Sequence, residues 1–330
     1  MFVELKNFCL KRNKETDWAQ IFKTLQIQKV EFLTDLIKYR LEYFKFSKVI
    51  DYSTILYSDT QPIALMPIYV TLYKNKSTKF APKNLITPLF DTKNKKKRFQ
   101  IYSQYLDLIY NIKKKHKIKK VNFDIDCLYQ GDTEFMSFLL ENEYKIESSK
   151  TIILTQIDSA NPKNSKDYRK SYRSLINSNI NNYDIRVLDH NNFDKNVWES
   201  FKILHLKVSG KKTRSDETWK IQQESIINKS AVLIYIKKKE NYLGFAFFFK
   251  TKTNALYSSA AYDIEQNKKI PIGHLIQDFA ITYFSKNKIS NYYIGFNENK
   301  KINENQKDKN LALFKKGFAN RFSVLLTLSK

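Results

Sequence analysis

The sequence predicts an α/β protein of mixed sheets, with two similar domains in tandem over residues 1–157 and 166–330. Three observations predict it. The second half reads β-α-α-β-β-β-α-β-α-β, its strands and helices separable by the period of their apolar residues. The first half reads α-α-β-β-α-β-α-β, a similar order. Between them lies a polar stretch, Asp158–Ser165, with Asn161 and Pro162 inside it, which reads as a linker. In 330 residues, 42% hydrophobic and 15% aromatic, there is enough apolar material for two cores.

Residues 1–47 read as helical. Asp17–Leu25 and Glu31–Phe46 carry apolar residues at three and four spacing, such as Phe32, Leu36 and Tyr39. Lys48–Tyr57 and Ile63–Tyr73 are extended, joined by a turn that ends at Pro62. Pro82 and Pro88 mark an irregular loop. Phe99–Lys117 is a helix whose lysine-rich end suits its dipole. Lys120–Asp126 is a strand, Thr133–Glu141 a short helix and Tyr144–Ile157 a strand.

The second half opens with a basic helix, Lys166–Ser178, and a strand, Tyr183–Leu188. Helices follow at Asn196–Val208 and Ser215–Asn228. Ser215 is placed to cap the second, with Asp216 and Glu217 in its first turn. Three strands come next: Ala231–Ile236, Tyr242–Phe249 and Ala255–Tyr262. After the turn Asp263–Pro271 a helix starts at Gly273, and a strand, Tyr292–Ile294, ends in Gly295. A polar loop, the helix Asn310–Lys316 and the strand Phe322–Leu328 complete the chain.

Glycine is scarce, six residues in all, and five stand after position 209: Gly210, Gly244, Gly273, Gly295 and Gly317. Glycine persists where a backbone needs positive φ or close approach, so the site is expected in the second half. Formal net charge is +25. It fits nucleic acid, an anionic membrane or a polyanionic ligand, and it equally fits a lysine-rich coding bias that leaves cations on solvated faces. No apolar run reaches the roughly 20 residues of a membrane span, and the N-terminus lacks an apolar signal core. With only Cys9 and Cys127, and no metal-ligand spacing among the four histidines, a reduced, cytoplasmic, metal-free protein is expected.

Three segments carry a resemblance. HLKVSGKKTR (His205–Arg214), followed by DETW (Asp216–Trp219), looks like an "H…SGRxTR…TW" pattern. IPIGH (Ile270–His274) with Gln277 looks like a strand-to-helix loop. YIG (Tyr293–Gly295) followed by LFKKGF (Leu313–Phe318) looks like a closing "YxxG…FKxGF" signature. Together with the element order they resemble Fem-like acyltransferases of the GNAT superfamily, tandem-domain proteins that attach amino acids to peptidoglycan precursors and whose relatives transfer other acyl groups. The match is specific over residues 200–320 and architectural over 1–150. The long helical hairpin of several tRNA-dependent members has no counterpart here.

The resemblance implies an acyl donor, acyl-CoA or aminoacyl-tRNA, and an acceptor amine or hydroxyl on an envelope sugar or peptidoglycan precursor. It implies a cytoplasmic enzyme, in contact with the membrane's inner face if the charge is used there. The donor's pyrophosphate is expected on the backbone of Ile272, Gly273 and His274, since the first N–H groups of a helix have no internal partner, with Gln277 nearby. Its acyl arm is expected beside Tyr257, Ser258, Ser259 and Ala260. Four small residues, Ser258 to Ala261, are hard to explain as core filling in a buried strand, and a backbone N–H there can polarise a carbonyl. His205 is a candidate general base or a structural histidine. Asp263 and Tyr293 are candidates for orienting the acceptor, and Asp263 equally reads as a turn residue. Ser209, Lys211, Arg214, Trp219 and Lys315 are expected at the acceptor, with Arg214 supplying a bidentate contact to an anion. Lys315 also reads as a helix-end cation before a glycine stop. A non-catalytic nucleic-acid-binding protein would instead show aromatics on an exposed sheet face. Phe245, Phe247 and Phe249 share a face but read as core.

Overall fold

The computed structural model describes residues 3–7, 15–44, 48–58, 61–72, 77–81, 83–158, 167–298 and 306–330. Cys9, Pro82 and the expected linker from residue 159 lie outside them.

Contacts divide the chain into two compact units. Unit 1 holds residues 1–28, 40–151 and 323–330, and unit 2 holds 29–39 and 152–322. The expected boundary near 158 follows chain order. The last strand departs from that order, because Leu325–Ser329 pairs antiparallel with Asn122–Asp126 inside unit 1.

Unit 1 begins with a strand, β1 (Val3–Asn7), where helix was expected. It pairs antiparallel with β3 (Thr54–Ser58). After α1 (Glu15–Thr24) and α2 (Thr34–Tyr43), the extended run from residue 48 proves to be two strands in different sheets, β2 (Lys48–Asp51) and β3. The Asp51 carboxylate accepts from the Ser53 N–H at 2.8 Å, and this side-chain turn breaks the run. Then follow β4 (Gln61–Met66), β5 (Tyr69–Leu72), β6 (Thr78–Phe80), β7 (Leu85–Ile86), β8 (Leu89–Phe90), α3 (Lys95–Lys115), β9 (Asn122–Asp126) and α4 (Gln130–Glu141). Tyr102, Tyr105, Phe123 and Phe135 form the buried aromatic centre of this unit's core.

β10 (Lys145–Gln156) enters unit 2 at Ile152. There follow α5 (Lys170–Asn177), β11 (Asp184–Leu188), α6 (Lys195–Ser209), α7 (Asp216–Ile227), β12 (Ala231–Lys238), β13 (Asn241–Lys250) and β14 (Asn254–Tyr262). A single helical turn, α8 (Ile264–Asn267), precedes α9 (Ile272–Lys286), β15 (Asn291–Glu298), α10 (Gln306–Lys316) and β16 (Arg321–Ser329). The helix ends follow their residues. Asp194 and Ser215 side chains accept N–H groups at the starts of α6 and α7, and Gly210 ends α6 at φ 67°.

The largest sheet has nine strands in the order β11-β12-β13-β14-β15-β10-β16-β9-β7, and unit 2 holds the run from β11 to β15 with the end of β10. One face packs on α9 and α5 through Val232, Ile234, Phe248, Leu275, Ile276, Phe284 and Tyr292. The other meets α6 and α7, where Phe245, Phe247 and Phe249 are fully buried and Trp198, Phe201 and Trp219 contact one another edge-on. These phenylalanines are core, as their aliphatic flanks suggested. Gly295 lies inside β15 and does not end it.

Candidate active site

The site begins as a fork between two parallel strands. β14 and β15 pair at Asn254 with Asn291, Ala255 with Tyr292 and Leu256 with Tyr293, and then the pairing stops. Both strands continue, to Tyr262 and Glu298. Asn254, Ala255 and Leu256 are buried. Tyr257, Ser258, Ser259 and Ala260 are only half-buried, although their strand lies in the middle of the sheet. Diverging strands leave backbone groups without ladder partners, and an opening along them.

A bulge sits at the fork. On β13, Phe248 faces Tyr257 and Phe247 faces Ser259, so Ser258 has no partner. The extra residue bends the strand and re-aims its groups. Of the small residues that stood out in the sequence, Ser258, Ser259 and Ala260 are half-buried and Ala261 is buried. The Ser259 hydroxyl is shielded and has no hydrogen-bond partner.

The start of α9 closes one side. Pro271 offers no side-chain cap to the helix, whose first N–H groups have no partner within it. Close packing explains the glycines here. A Cβ on Gly273 would stand 3.1 Å from the Tyr262 ring and 3.3 Å from Phe314. One on Gly244 would meet Ile272 at 2.6 Å and Tyr262 at 2.9 Å. Tyr262 is thereby held with its hydroxyl 3.0 Å from that of Tyr257. Burial raises both phenols, Tyr257 to about 12, so they keep their protons at neutral pH and act as hydrogen-bonding groups. Gln277 is fully buried and accepts from the Tyr292 hydroxyl, which makes it a core amide at this site's floor. His274 stands in an aromatic box, 4.4 Å from Tyr172 and 5.0 Å from Phe314 between ring centres. Desolvation lowers it to about 4, so it is neutral at pH 7.

Lys315 faces the other arm of the fork. Its Nζ stands 2.5 Å from where a Gly295 Cβ would be, and its Cδ and Cε stand 3.1 Å away. The absence of a side chain on Gly295 is what lets this lysine lie across β15. Burial lowers its pKa, and no carboxylate contributes to the shift. α10 ends at Lys316, with Lys315 and Lys316 in its last turn, so Gly317 follows the helix as expected; it has no positive φ, and it is a glycine because the Tyr172 ring lies where a Cβ would go, 2.0 Å away.

Other expected site residues are placed elsewhere. Arg214, expected to contact an anion on the acceptor, is 9% exposed. Its Nη1 donates to Nε2 of His205, its Nε to the Tyr39 hydroxyl at 3.4 Å, and its guanidinium lies 4.9 Å from the Trp219 ring centre. Trp219 is buried among Trp198, Phe201 and His205. His205 is lowered to about 4, by burial first and the Arg214 charge second, and the lone pair a base would use is taken by Arg214. Asp263 caps α8 through the Gln266 N–H and pairs with Lys207 at 3.0 Å. The first of these, then the second, lowers its carboxyl. Ser209 donates to the Lys211 carbonyl at 2.7 Å, closing a helix-end turn, and Lys211 is exposed. Tyr293 stays at the fork, buried and paired with Leu256.

The sequence did not single out Tyr262, Phe314 or the contact of Lys315 with Gly295. Glycine scarcity was the available signal, since Gly244, Gly273 and Gly295 each admit one of these side chains. Among the described residues no group of three His, Cys, Asp or Glu is placed to hold a metal ion, and no helix is long and apolar enough to cross a membrane.

No protein-family model matches the chain, and no curated protein matches it in sequence. Solved structures do match. FemX aligns with a TM-score of 0.66 at 12% identity, over 98% of this chain and 96% of its own. L-PGS from Bacillus licheniformis aligns at 0.55 and 12% identity, over 84% and 83%. A tandem GNAT protein from the clavulanic acid biosynthesis pathway aligns at 0.51 and 8% identity, over 100% and 98%. The chain therefore shares the fold of FemX and of the tandem GNAT protein over nearly its full length.

Proposed function

We propose that the protein is an acyltransferase that moves an acyl group from acyl-CoA to an amine or hydroxyl of a cell-envelope or surface-polysaccharide precursor. One observation carries this reading. The β14–β15 fork opens beside an uncapped helix start, which supplies both the slot and the anion cradle a long phosphorylated donor needs. The donor's pyrophosphate would sit on the N–H groups of Gly273 and His274, and its arm would run along Tyr257–Ala260. The backbone freed at the Ser258 bulge would polarise the acyl carbonyl, and Lys315 would add charge stabilisation as the carbonyl oxygen becomes anionic. The Tyr257 phenol, kept protonated, would donate a hydrogen bond to the leaving sulfur. Arg214 and His205 form a buried polar cluster that holds α6 and the start of α7 in place, and Tyr293 sets the fork.

A second reading, transfer from aminoacyl-tRNA, is favoured by the net charge of +25. A thermal shift series separates the two, because a ligand that binds the folded state raises its melting temperature. Acetyl-CoA and longer acyl-CoAs should raise it, and tRNA should not. A shift with tRNA alone would transfer the assignment to the second reading. We place the protein in the cytoplasm, at the inner face of the membrane if the acceptor is lipid-linked.

A further inference from the structure

Arginine is scarce in this chain, eight residues among the 58 lysines and arginines, so the places where it persists are informative. Arg98 pairs with Glu134, Arg186 with Asp184, Arg214 with His205 and Arg321 with Gln156. Two more stand together at the start of α5, Arg169 as its cap and Arg173 one turn on, with Lys170 between them. Arg169 lies 6.0 Å from the Tyr172 ring centre. Neither Lys170 nor Arg173 has a side-chain partner among the described residues, and the first turn of α5 holds no carboxylate. The helix does not explain these cations, because its dipole opposes positive charge at its start. Lys315 and Lys316, at the end of α10, are explained in that way. The start of α5 adjoins the proposed donor site. The Tyr172 ring stands 4.4 Å from that of His274 at the start of α9, centre to centre. Two carboxylates are near, and each is engaged: Asp167 accepts from Asn320 at 3.0 Å, and Asp278 holds the Tyr168 hydroxyl.

We infer that Lys170 and Arg173 form a subsite for a phosphomonoester on the donor, separate from its pyrophosphate. Coenzyme A carries such a group on its ribose. A pyrophosphate on the Gly273 and His274 N–H groups leaves the α5 cations unmatched, and a second phosphate matches them. A phosphomonoester carries roughly −1.5 to −2 charge at pH 7, and an arginine fork meets its oxygens in two parallel hydrogen bonds. Arg173 is half-buried, so its guanidinium is held near the protein surface and not far out in solvent. The inference rests on the reading of the fork as an acyl-CoA site, and it adds the residues that tell this donor from one without the third phosphate.

Calorimetric titration tests it with coenzyme A and dephospho-coenzyme A, which differ by that one phosphate. Three proteins are compared: the full chain, Lys170→Gln/Arg173→Gln, and a control with equal charge change, Lys195→Gln/Lys286→Gln. The three lysines are exposed and Arg173 has no partner to lose among the described residues, so folding is preserved and is checked by melting temperature. The full chain and the control should bind coenzyme A about tenfold or more tightly than the dephospho form. The α5 variant should bind the two alike, at the affinity the full chain shows for the dephospho form. A purely structural role would weaken both ligands equally and keep the preference, and that result overturns the inference. Equal binding of the two ligands by the full chain also overturns it and leaves the donor site standing. Binding of neither ligand overturns the donor site and the inference together.

Discussion

Arg214 donates from Nη1 to Nε2 of His205, which fixes the imidazole as an acceptor with its own proton on Nδ1. The guanidinium is buried, and it is balanced by a ring nitrogen, a phenol and an indole face. Arg214→Lys keeps the charge and loses the planar fork that makes these contacts at once. It should destabilise the fold by about 2 kcal/mol, the scale of one hydrogen bond from a charged group. Urea unfolding measures this, and an unchanged midpoint would show that the cluster contributes nothing.

Three lowered histidines, His116, His205 and His274, give stability a pH dependence. His205 and His274 both fall from 6.5 to about 4 in the folded state. Between those values the unfolded chain binds protons that the folded chain refuses. Stability is therefore full above about pH 6.5 and falls as pH drops toward 4, at up to about 1.4 kcal/mol per unit for each histidine. His274→Phe fills the same aromatic box without titrating. It should remove part of the midpoint loss between pH 6.5 and pH 5, leaving the shares of His205 and His116. An identical pH profile in the variant contradicts the buried-neutral assignment.

Lys315 separates function from stability. A desolvated ammonium with no carboxylate partner among the described residues costs the fold something. Lys315→Met should leave the melting temperature unchanged or higher while lowering acyl transfer at least about tenfold. Gly295→Ala, which pushes the Lys315 ammonium aside, should reproduce the loss of activity. If both variants transfer at the original rate, the lysine is a packing residue.

Ser258 tests the fork more finely. As the unpaired residue of a bulge it tolerates proline better than its ladder neighbours. Ser258→Pro removes one N–H from the opening. If that N–H polarises the donor carbonyl, turnover should fall about a hundredfold with donor affinity little changed. A proportional loss of both would indicate a distorted cleft.

Most of the element order was legible because periods of 2 and 3.6 survive a lysine-rich bias. What escaped was set by contacts distant in sequence. β1 is a short strand that exists through its pairing with Thr54–Ser58. Residues 29–39 belong to unit 2, where Asp35 accepts from Ser230 and Tyr39 meets Arg214. Arg214 looked solvated because Lys211 and Lys212 precede it, and both of those are exposed. The fork depends on where pairing stops after Leu256, and no residue announces that. The glycines pointed to the second half of the chain, and only coordinates say that they admit Tyr262, Lys315 and Tyr172.

The most direct test of the central claim is calorimetric titration of the chain with coenzyme A, alongside Gly273→Ala. In that variant the new methyl sits 3.1 Å from Tyr262 and 3.3 Å from Phe314 and must displace the helix start. The account predicts one-to-one binding of coenzyme A to the original chain and several-fold weaker binding to the variant, with a melting temperature change small enough for a folded protein. Absence of binding up to millimolar concentration, or equal binding by both proteins, would contradict the placement of an acyl-CoA in the β14–β15 fork.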